Sequence, residues 1–417
     1  MREVARVAVS FIGVGRLSED PSKRGYLRTV YQFPDGSREE ATFFGAAFLR
    51  WLERKNLKPQ RWLVMGTSRS MWDALYEVLS SEAQERLLDE NGDLWQEVFQ
   101  AKEEGKANQA IIDRWEAVLR GYLHNLDLRL RVVGAAESED SQMRMWQELA
   151  SAVEEGARVF LDITHGFRHQ PALAAFMMIF LRWLKGIEDF ELFYGAFEMA
   201  KGKDAPCPVI HLSLCNLLAR AAEAMAIFRT TGNFAPLADI LPLDRKVKEK
   251  VMEVAYAEET NQQARSTAKE VLRTLDNLEV DPVRAAVADV LRETLEWAKQ
   301  EGLSQRMMRK AKFALEHGQY LKAIILLYEA LLVKGCQLYR TGDSMTWKAR
   351  RAALQCLKER LQPEDVKVLC RIESLRNAVV HGGRGQKAEI QRALRSSSAF
   401  ERIFKEGERL LARLKEG

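Results

Sequence analysis

Short apolar runs alternate with stretches of helical periodicity over residues 1–213, and a chain written this way has few folds open to it. Residues 4–11 read as a mostly buried strand that runs into a turn containing Gly13, Val14 and Gly15 and ending at Arg16. Residues 26–33 read as a second strand, closed by the turn signal Pro34, Asp35, Gly36. Helical periodicity covers 41–55. A short apolar strand at 61–65 then leads through Gly66, Thr67, Ser68, Arg69 and Ser70 into another helix. Residues 80–125 are helical, 128–133 a strand and 141–155 a helix. Residues 157–163 form a strand, 164–169 a loop, and an apolar helix starts at Pro171 ahead of a last strand at 190–194. Strands spaced by helices imply an α/β fold with a parallel, doubly wound sheet.

The strand signals stop near residue 213. Residues 214–230 are helical, 232–243 are a break containing proline and glycine, and 244–300 read as long charged helices. Further helices are expected at 305–316, 320–339, 346–360, 363–380 and 386–415. The chain is therefore divided into an α/β half (1–213), a helical connector (214–302) and an all-α C-terminal domain (303–417). A content of 47% hydrophobic and 29% charged residues is that of an ordinary globular protein. The five cysteines form no Cys-x-x-Cys pair and no zinc spacing, so neither a disulfide framework nor a structural metal is indicated. With no basic-then-apolar leader and no apolar run of membrane length, a cytoplasmic protein without membrane contact is expected.

The charge is unevenly placed. Residues 303–417 hold 24 Lys/Arg against 12 Asp/Glu, a net of +12, whereas the rest of the chain carries a net of −8. A basic C-terminal segment suits a polyanionic partner. Within it, Arg376, Asn377 and His381 fall inside six residues, followed by Gly382 and Gly383. Val366, Leu369, Ile372, Leu375 and Val379 recur at helical spacing, so these groups sit at the end of a helix closed by glycine. There the macrodipole favours an imidazolium. A histidine near neutrality beside a fixed cation can move protons while the cation holds a phosphate. Asn377 shares a face with His381, but Arg376 lies about 140° round the helix from it, so one copy makes half a site.

In open parallel sheets, ligands bind outside the carboxyl ends of the strands. Three loops fall at such ends: Gly13, Val14 and Gly15; Gly66 to Ser70; and Thr164, His165, Gly166, Phe167, Arg168 and His169. Loops of small and hydroxylic residues that lead into helices offer backbone N–H groups to a phosphate, and Arg69 and Arg168 add cations. The chain has neither a P-loop nor a full dinucleotide fingerprint, so a nucleotide-like ligand of another kind is expected. As a metal pair, His165 and His169 would need Asp162 as third ligand. Asp162 is better explained as a loop cap, and no metal is expected.

These residues resemble a known family. Arg376, Asn377 and His381 match the Arg-Asn-x-x-x-His signature of HEPN ribonuclease domains. The first half is similar to a CARF domain, the Rossmann-like sensor of CRISPR-associated ancillary proteins, through the stretches 11–15, 66–72, 161–166 and 194–198. The connector carries no part of this resemblance. The resemblance implies a homodimeric effector of type III CRISPR defence. In it, a cyclic oligoadenylate held by the three loops activates a metal-independent endoribonuclease on single-stranded RNA. Cyclic tetra-adenylate is the favoured ring and hexa-adenylate the runner-up. The implied reaction is attack of a 2′-hydroxyl on the adjacent phosphorus, with His381 transferring protons, Arg376 stabilising the phosphorane and Asn377 orienting. Two alternatives are a nucleic-acid-binding regulator with an inactive HEPN domain, and a sensor that also degrades its ring through Thr67, Ser68, Thr164 and His165.

Overall fold

The computed structural model describes residues 4–15, 26–187, 189–202, 205–382 and 387–414. They form two compact units, Met1–Ala219 and Arg220–Gly417. Arg16 and Gly383 lie outside the described residues.

The first unit is built on an eight-stranded sheet. Its strands are β1 (Arg6–Phe11), β2 (Thr29–Gln32), β3 (Arg38–Ala41), β4 (Arg61–Gly66), β5 (Asp127–Val132), β6 (Arg158–Asp162), β7 (Phe190–Gly195) and β8 (Cys207–His211). The order across the sheet is β3-β2-β8-β7-β6-β1-β4-β5. β7, β6, β1, β4 and β5 are mutually parallel, which is the expected core. β1 shows why both faces are covered. Ala8 packs with Val64 and Phe160 on one side, whereas Val7, Val9 and Phe11 pack with Leu63 and Leu161 on the other. Helices α1 (Phe44–Arg54), α2 (Ser81–Glu103) and α3 (Gln109–Tyr122) cover the first face; α4 (Glu139–Ala152) and α5 (His169–Lys185) cover the second. A strand buried on both sides reads as a continuous apolar run, the pattern of β1 and β4.

The remaining edge departs from the expected parallel sheet. β8 runs antiparallel to β7, β2 pairs parallel with β8, and β3 closes a hairpin against β2. Neither β3 nor β8 is legible in the sequence. β3 reads Arg-Glu-Glu-Ala with no apolar alternation, and β8 contains Pro208, which argues against a ladder position. The helix expected after Gly66–Ser70 is a 3₁₀ segment, Trp72–Val78.

The second unit is all helical: α6 (Ser213–Thr231), which begins in the first unit, then α7 (Leu237–Ile240), α8 (Arg245–Glu259), α9 (Arg265–Asp276), α10 (Pro282–Leu295), α11 (Leu303–Glu316), α12 (Tyr320–Tyr339), α13 (Trp347–Arg360), α14 (Pro363–His381), α15 (Ala388–Ala393) and α16 (Ser397–Arg413). The connector and the C-terminal segment thus belong to one compact unit. α12 is buried nearly all round, from Ala323 to Cys336, and is the axis of the core that α11, α14 and α16 complete. The single helix expected over 386–415 is two helices, and both outer ends of that span lie outside the described residues. The break falls at a serine run, where the Ser396 side chain accepts from the Ala399 N–H and caps α16. Serine hydroxyls compete for backbone groups and favour caps over helix interiors.

Gly66 tests the packing of the first unit. A Cβ there would stand 2.7 Å from Ile12 Cγ2, Ser70 Oγ and Trp72 Cζ2. Gly66→Ala is expected to cost about 1–3 kcal/mol through overpacking, read as a lower urea midpoint at unchanged slope.

Candidate functional site

The chain runs β1, β4, β5 outward, then returns to β6 on the other side of β1, so the switch point of the sheet lies between β1 and β6. A cavity of about 320 Å³ opens at their carboxyl ends. Gly13, Val14, Gly15, Thr164, His165 and Gly166 line it, as the sequence led us to expect. Gly66, Thr67, Ser68, Arg69, Ser70, Phe167, Arg168 and His169 do not. The middle loop instead supports the wall. Ser70 is buried; its Oγ donates to Ile12 O (2.7 Å) and accepts from Thr67 N (2.9 Å), and Met71 N donates to Gly13 O (2.8 Å). Arg69 packs beside Gly105. His169 opens α5 and its Nε2 donates to Ala135 O (2.6 Å).

Several lining residues carry no motif in the sequence: Leu27, Thr29 and Tyr31 from the edge hairpin, and Thr42. Met71 from the 66–72 stretch and Tyr194, Gly195, Phe197 and Glu198 from the 194–198 stretch complete the wall, and Tyr194 Oη donates to Glu198 Oε2 (2.7 Å). Leu27, Thr29, Tyr31 and Thr42 could be found only by knowing that β2 and β8 fold onto the β7 edge. Gly195 is a point of close approach, where a Cβ would stand 3.0 Å from Tyr31 and 3.2 Å from the Thr164 methyl. Its N–H donates to Thr164 Oγ1 (2.8 Å). No lysine or arginine is among these lining residues, so an anion would be met by backbone donors and hydroxyls. Arg168 stands near enough to offset part of the rise that burial imposes on Tyr194.

Two titratable groups in the β6 loop are held in unusual states. Asp162 is fully buried; Oδ1 accepts from Thr164 N (2.8 Å) and Oδ2 has no partner. Burial pushes its carboxyl up to about 7. His165 Nε2 accepts from the Phe44 N–H (3.2 Å), which requires the neutral ring with its proton on Nδ1. Burial pushes His165 down to about 4. Asp162, His165 and His169 thus serve separate partners, and no group of three metal-ligating side chains comes together among the described residues.

In the helical unit, α14 buries Leu369, Ile372 and Leu375 and stops at Gly382, which has φ 60°, as the glycine signal predicts. Asn377 and His381 are exposed, one turn apart. Arg376 is half-buried, with its guanidinium 5.5 Å from the centroid of the Tyr328 ring on α12. Nη1 donates to Asn377 Oδ1 (2.9 Å), and the buried Nε has no partner. The long side chain thus spans the 100° step between neighbours and brings its charge to the Asn377 side. This arrangement offers a positioned cation, an amide and an exposed imidazole at one helix end. No helix among the described residues is long and apolar enough to cross a membrane.

No family model matches the chain. It is 24% identical over 353 residues to CRISPR-associated protein MJ1674 of Methanocaldococcus jannaschii, a match that covers 80% of this chain and 54% of that protein. The chain therefore spans about half the length of this relative, and the match is long enough to enter both units. The solved structure of Enterococcus italicus Csm6 bound to cyclic hexa-2′-fluoro-hexa-dAMP aligns with 99% of this chain and 94% of that one. Its identity is 10% and its TM-score 0.42, a likeness too loose to bear on function.

Asp162 and His165 together make a pH prediction. Asp162 binds its proton more readily in the folded chain, from a reference of 3.8 to about 7, so its contribution to stability falls as pH rises across that window. His165 stays neutral where the unfolded chain would be charged, so its contribution rises with pH from about 4 to 6.5. In urea unfolding at a series of pH values, Asp162→Asn is expected to gain on the parent protein as pH rises. His165→Gln is expected to lose on it. Parallel pH profiles for all three proteins would contradict both assignments. The match to MJ1674 makes this chain a relative of a CRISPR-associated protein, the kinship to which its motifs point.

Proposed function

We propose that the protein is a cyclic oligoadenylate-activated, metal-independent endoribonuclease of type III CRISPR defence, acting in the cytoplasm. Residues 1–213 sense the ring, 214–302 connect, and 303–417 form the HEPN ribonuclease domain. The observation that carries this reading is the end of α14, where Arg376 reaches Asn377 one turn from an exposed His381. Kinship with a CRISPR-associated protein and the cavity at the β1/β6 switch point support it.

The chemistry follows from the three side chains. His381 takes the proton of an RNA 2′-hydroxyl, or returns one to the leaving 5′-oxygen. Arg376, held by the Tyr328 face, neutralises charge that builds on the phosphorane oxygens, and Asn377 keeps the guanidinium aligned. The products are a 2′,3′-cyclic phosphate and a 5′-hydroxyl. One copy of α14 supplies only one such set, so a second copy of the chain completes the site. An exposed apolar stripe on α5 is where we dock that second copy: Phe176, Phe180, Trp183 and Leu184, spaced so as to share one helix face. Ligand then sits on the β1, β4 and β6 loops of both copies, and the loop residues expected from the sequence serve as wall or rim. A second reading, a sensor that also degrades its ring, draws on Thr164 and His165 in the cavity wall.

Purified protein incubated with labelled single-stranded RNA in EDTA, with each ring size in turn, is expected to cleave with one ring and not without it. His381→Ala is expected to abolish this cleavage, and Arg376→Ala to lower the rate by about 100-fold or more. Full activity in His381→Ala would overturn the assignment. Phe180→Glu is expected to shift the protein from dimer to monomer in sedimentation and to abolish ring-dependent cleavage; an unchanged dimer would remove α5 from the interface.

A further inference from the structure

The helical unit holds a second cavity, of about 300 Å³, distant in sequence from α14 and built where the connector meets α11. Its apolar wall is aromatic: Phe228 from α6, Phe234, Trp297 and Phe313. Phe228, Phe234 and Trp297 are buried. Phe313 and His317 lie 4.2 Å apart, and Phe228 packs 5.2 Å from the His317 ring, so the rings form one continuous surface. His317 Nδ1 is spent on Phe313 O (2.8 Å). Cavities of this size fall at the small end of those that hold small-molecule ligands.

Polar groups are set around that surface in two groups. Glu258, 8% exposed, lines the cavity with its Oε1 outside hydrogen-bond geometry with any donor. Lys310 Nζ stands 2.8 Å from this oxygen and 3.8 Å from the Trp297 ring centroid, and Lys322 Nζ stands 4.0 Å from Oε2, so the carboxylate is ion-paired while Oε1 keeps the capacity to accept a hydrogen bond. At the mouth, Arg229 and Arg309 are exposed and have no partner among the described residues, whereas Lys312 is ion-paired with Glu408. Glu293 and Glu316 are the other charged groups of the rim.

We propose that this cavity binds a nucleoside 5′-phosphate with an amino-bearing base. The base lies on the Phe313 and Phe228 surface with its amino group donating to Glu258, and the phosphate is held by Arg229 and Arg309. Three carboxylates in the lining disfavour a bare polyanion, and an aliphatic phosphate would leave both the rings and Glu258 unused. A single ligand carrying a flat ring, an N–H donor and one phosphate satisfies all three features. The same chemistry is available from a free nucleotide or from the phosphorylated end of an RNA strand. The inference does not rest on the ribonuclease reading.

The test is photolabelling of the full chain with 8-azidoadenosine 5′-monophosphate, followed by peptide mapping. Label is expected on peptides bearing Trp297 or Phe313. Arg229→Glu and Arg309→Glu, both at exposed positions, are each expected to raise the concentration for half-labelling about tenfold or more while thermal unfolding is unchanged. Phe313→Leu is expected to weaken labelling as well. Competition by adenosine 5′-monophosphate alone would identify a free nucleotide, and competition also by 5′-phosphorylated RNA would identify a strand end. Label confined to the α/β unit, labelling indifferent to both arginine substitutions, or equal competition by ribose 5-phosphate would overturn the proposal.

Discussion

A single buried hydroxyl ties the two central turns of the α/β unit together. Ser70 Oγ donates to Ile12 O and accepts from Thr67 N, so the turn after β4 is fastened to the turn after β1. Only a short polar side chain can do this, because the space that Gly66 leaves empty is filled by Ile12, Ser70 and Trp72. The Trp72 indole N–H closes the same turn on Thr67 O (2.9 Å). With these groups satisfied, Gly13 and Gly15 are held at the cavity wall as backbone. Buried polar groups that are fully bonded fix one arrangement, whereas unbonded ones would cost free energy.

The facing wall is held by a weaker and more responsive set of bonds. Thr164 Oγ1 accepts from Gly195 N, Asp162 accepts from Thr164 N, and His165 accepts from Phe44 N. Here one carboxylate oxygen is left without a donor, and two titratable side chains are forced toward their neutral forms by burial. Such a loop combines polar density with a low-dielectric surround, the conditions under which a bound ligand's hydrogen bonds count most.

In the helical unit the comparable constraint is apolar. Gly407 lets α16 come close enough to α14 and α12 that a Cβ would stand 2.6 Å from Ile372 and 2.8 Å from Leu327. The contact sets the rotation of α14 and turns Asn377 and His381 outward while Arg376 lies on Tyr328. Burial raises the Tyr328 hydroxyl pKa, so the ring stays neutral under the guanidinium. Electrostatic attraction of a cation to a ring face then holds Arg376 without removing its charge.

By itself the sequence determined the alternating α/β core, the helical remainder, the glycine stop of α14 and the grouping of Arg376, Asn377 and His381. These are set by local periodicity and backbone conformation. It also carried the β1 and β6 loops into the cavity wall, since the carboxyl end of a parallel strand is a place that topology names in advance. Only the tertiary structure decided which side chains join them. Thr29 and Tyr31 reach the cavity because β2 and β8 add to the β7 edge, a pairing between strands far apart in the chain that no local pattern encodes. The same holds for Arg376, whose direction depends on Tyr328 nearly fifty positions earlier, and for the rings of Phe228, Trp297 and Phe313. Spacing along the chain fixes which residues share a helix face; packing between helices fixes what that face meets.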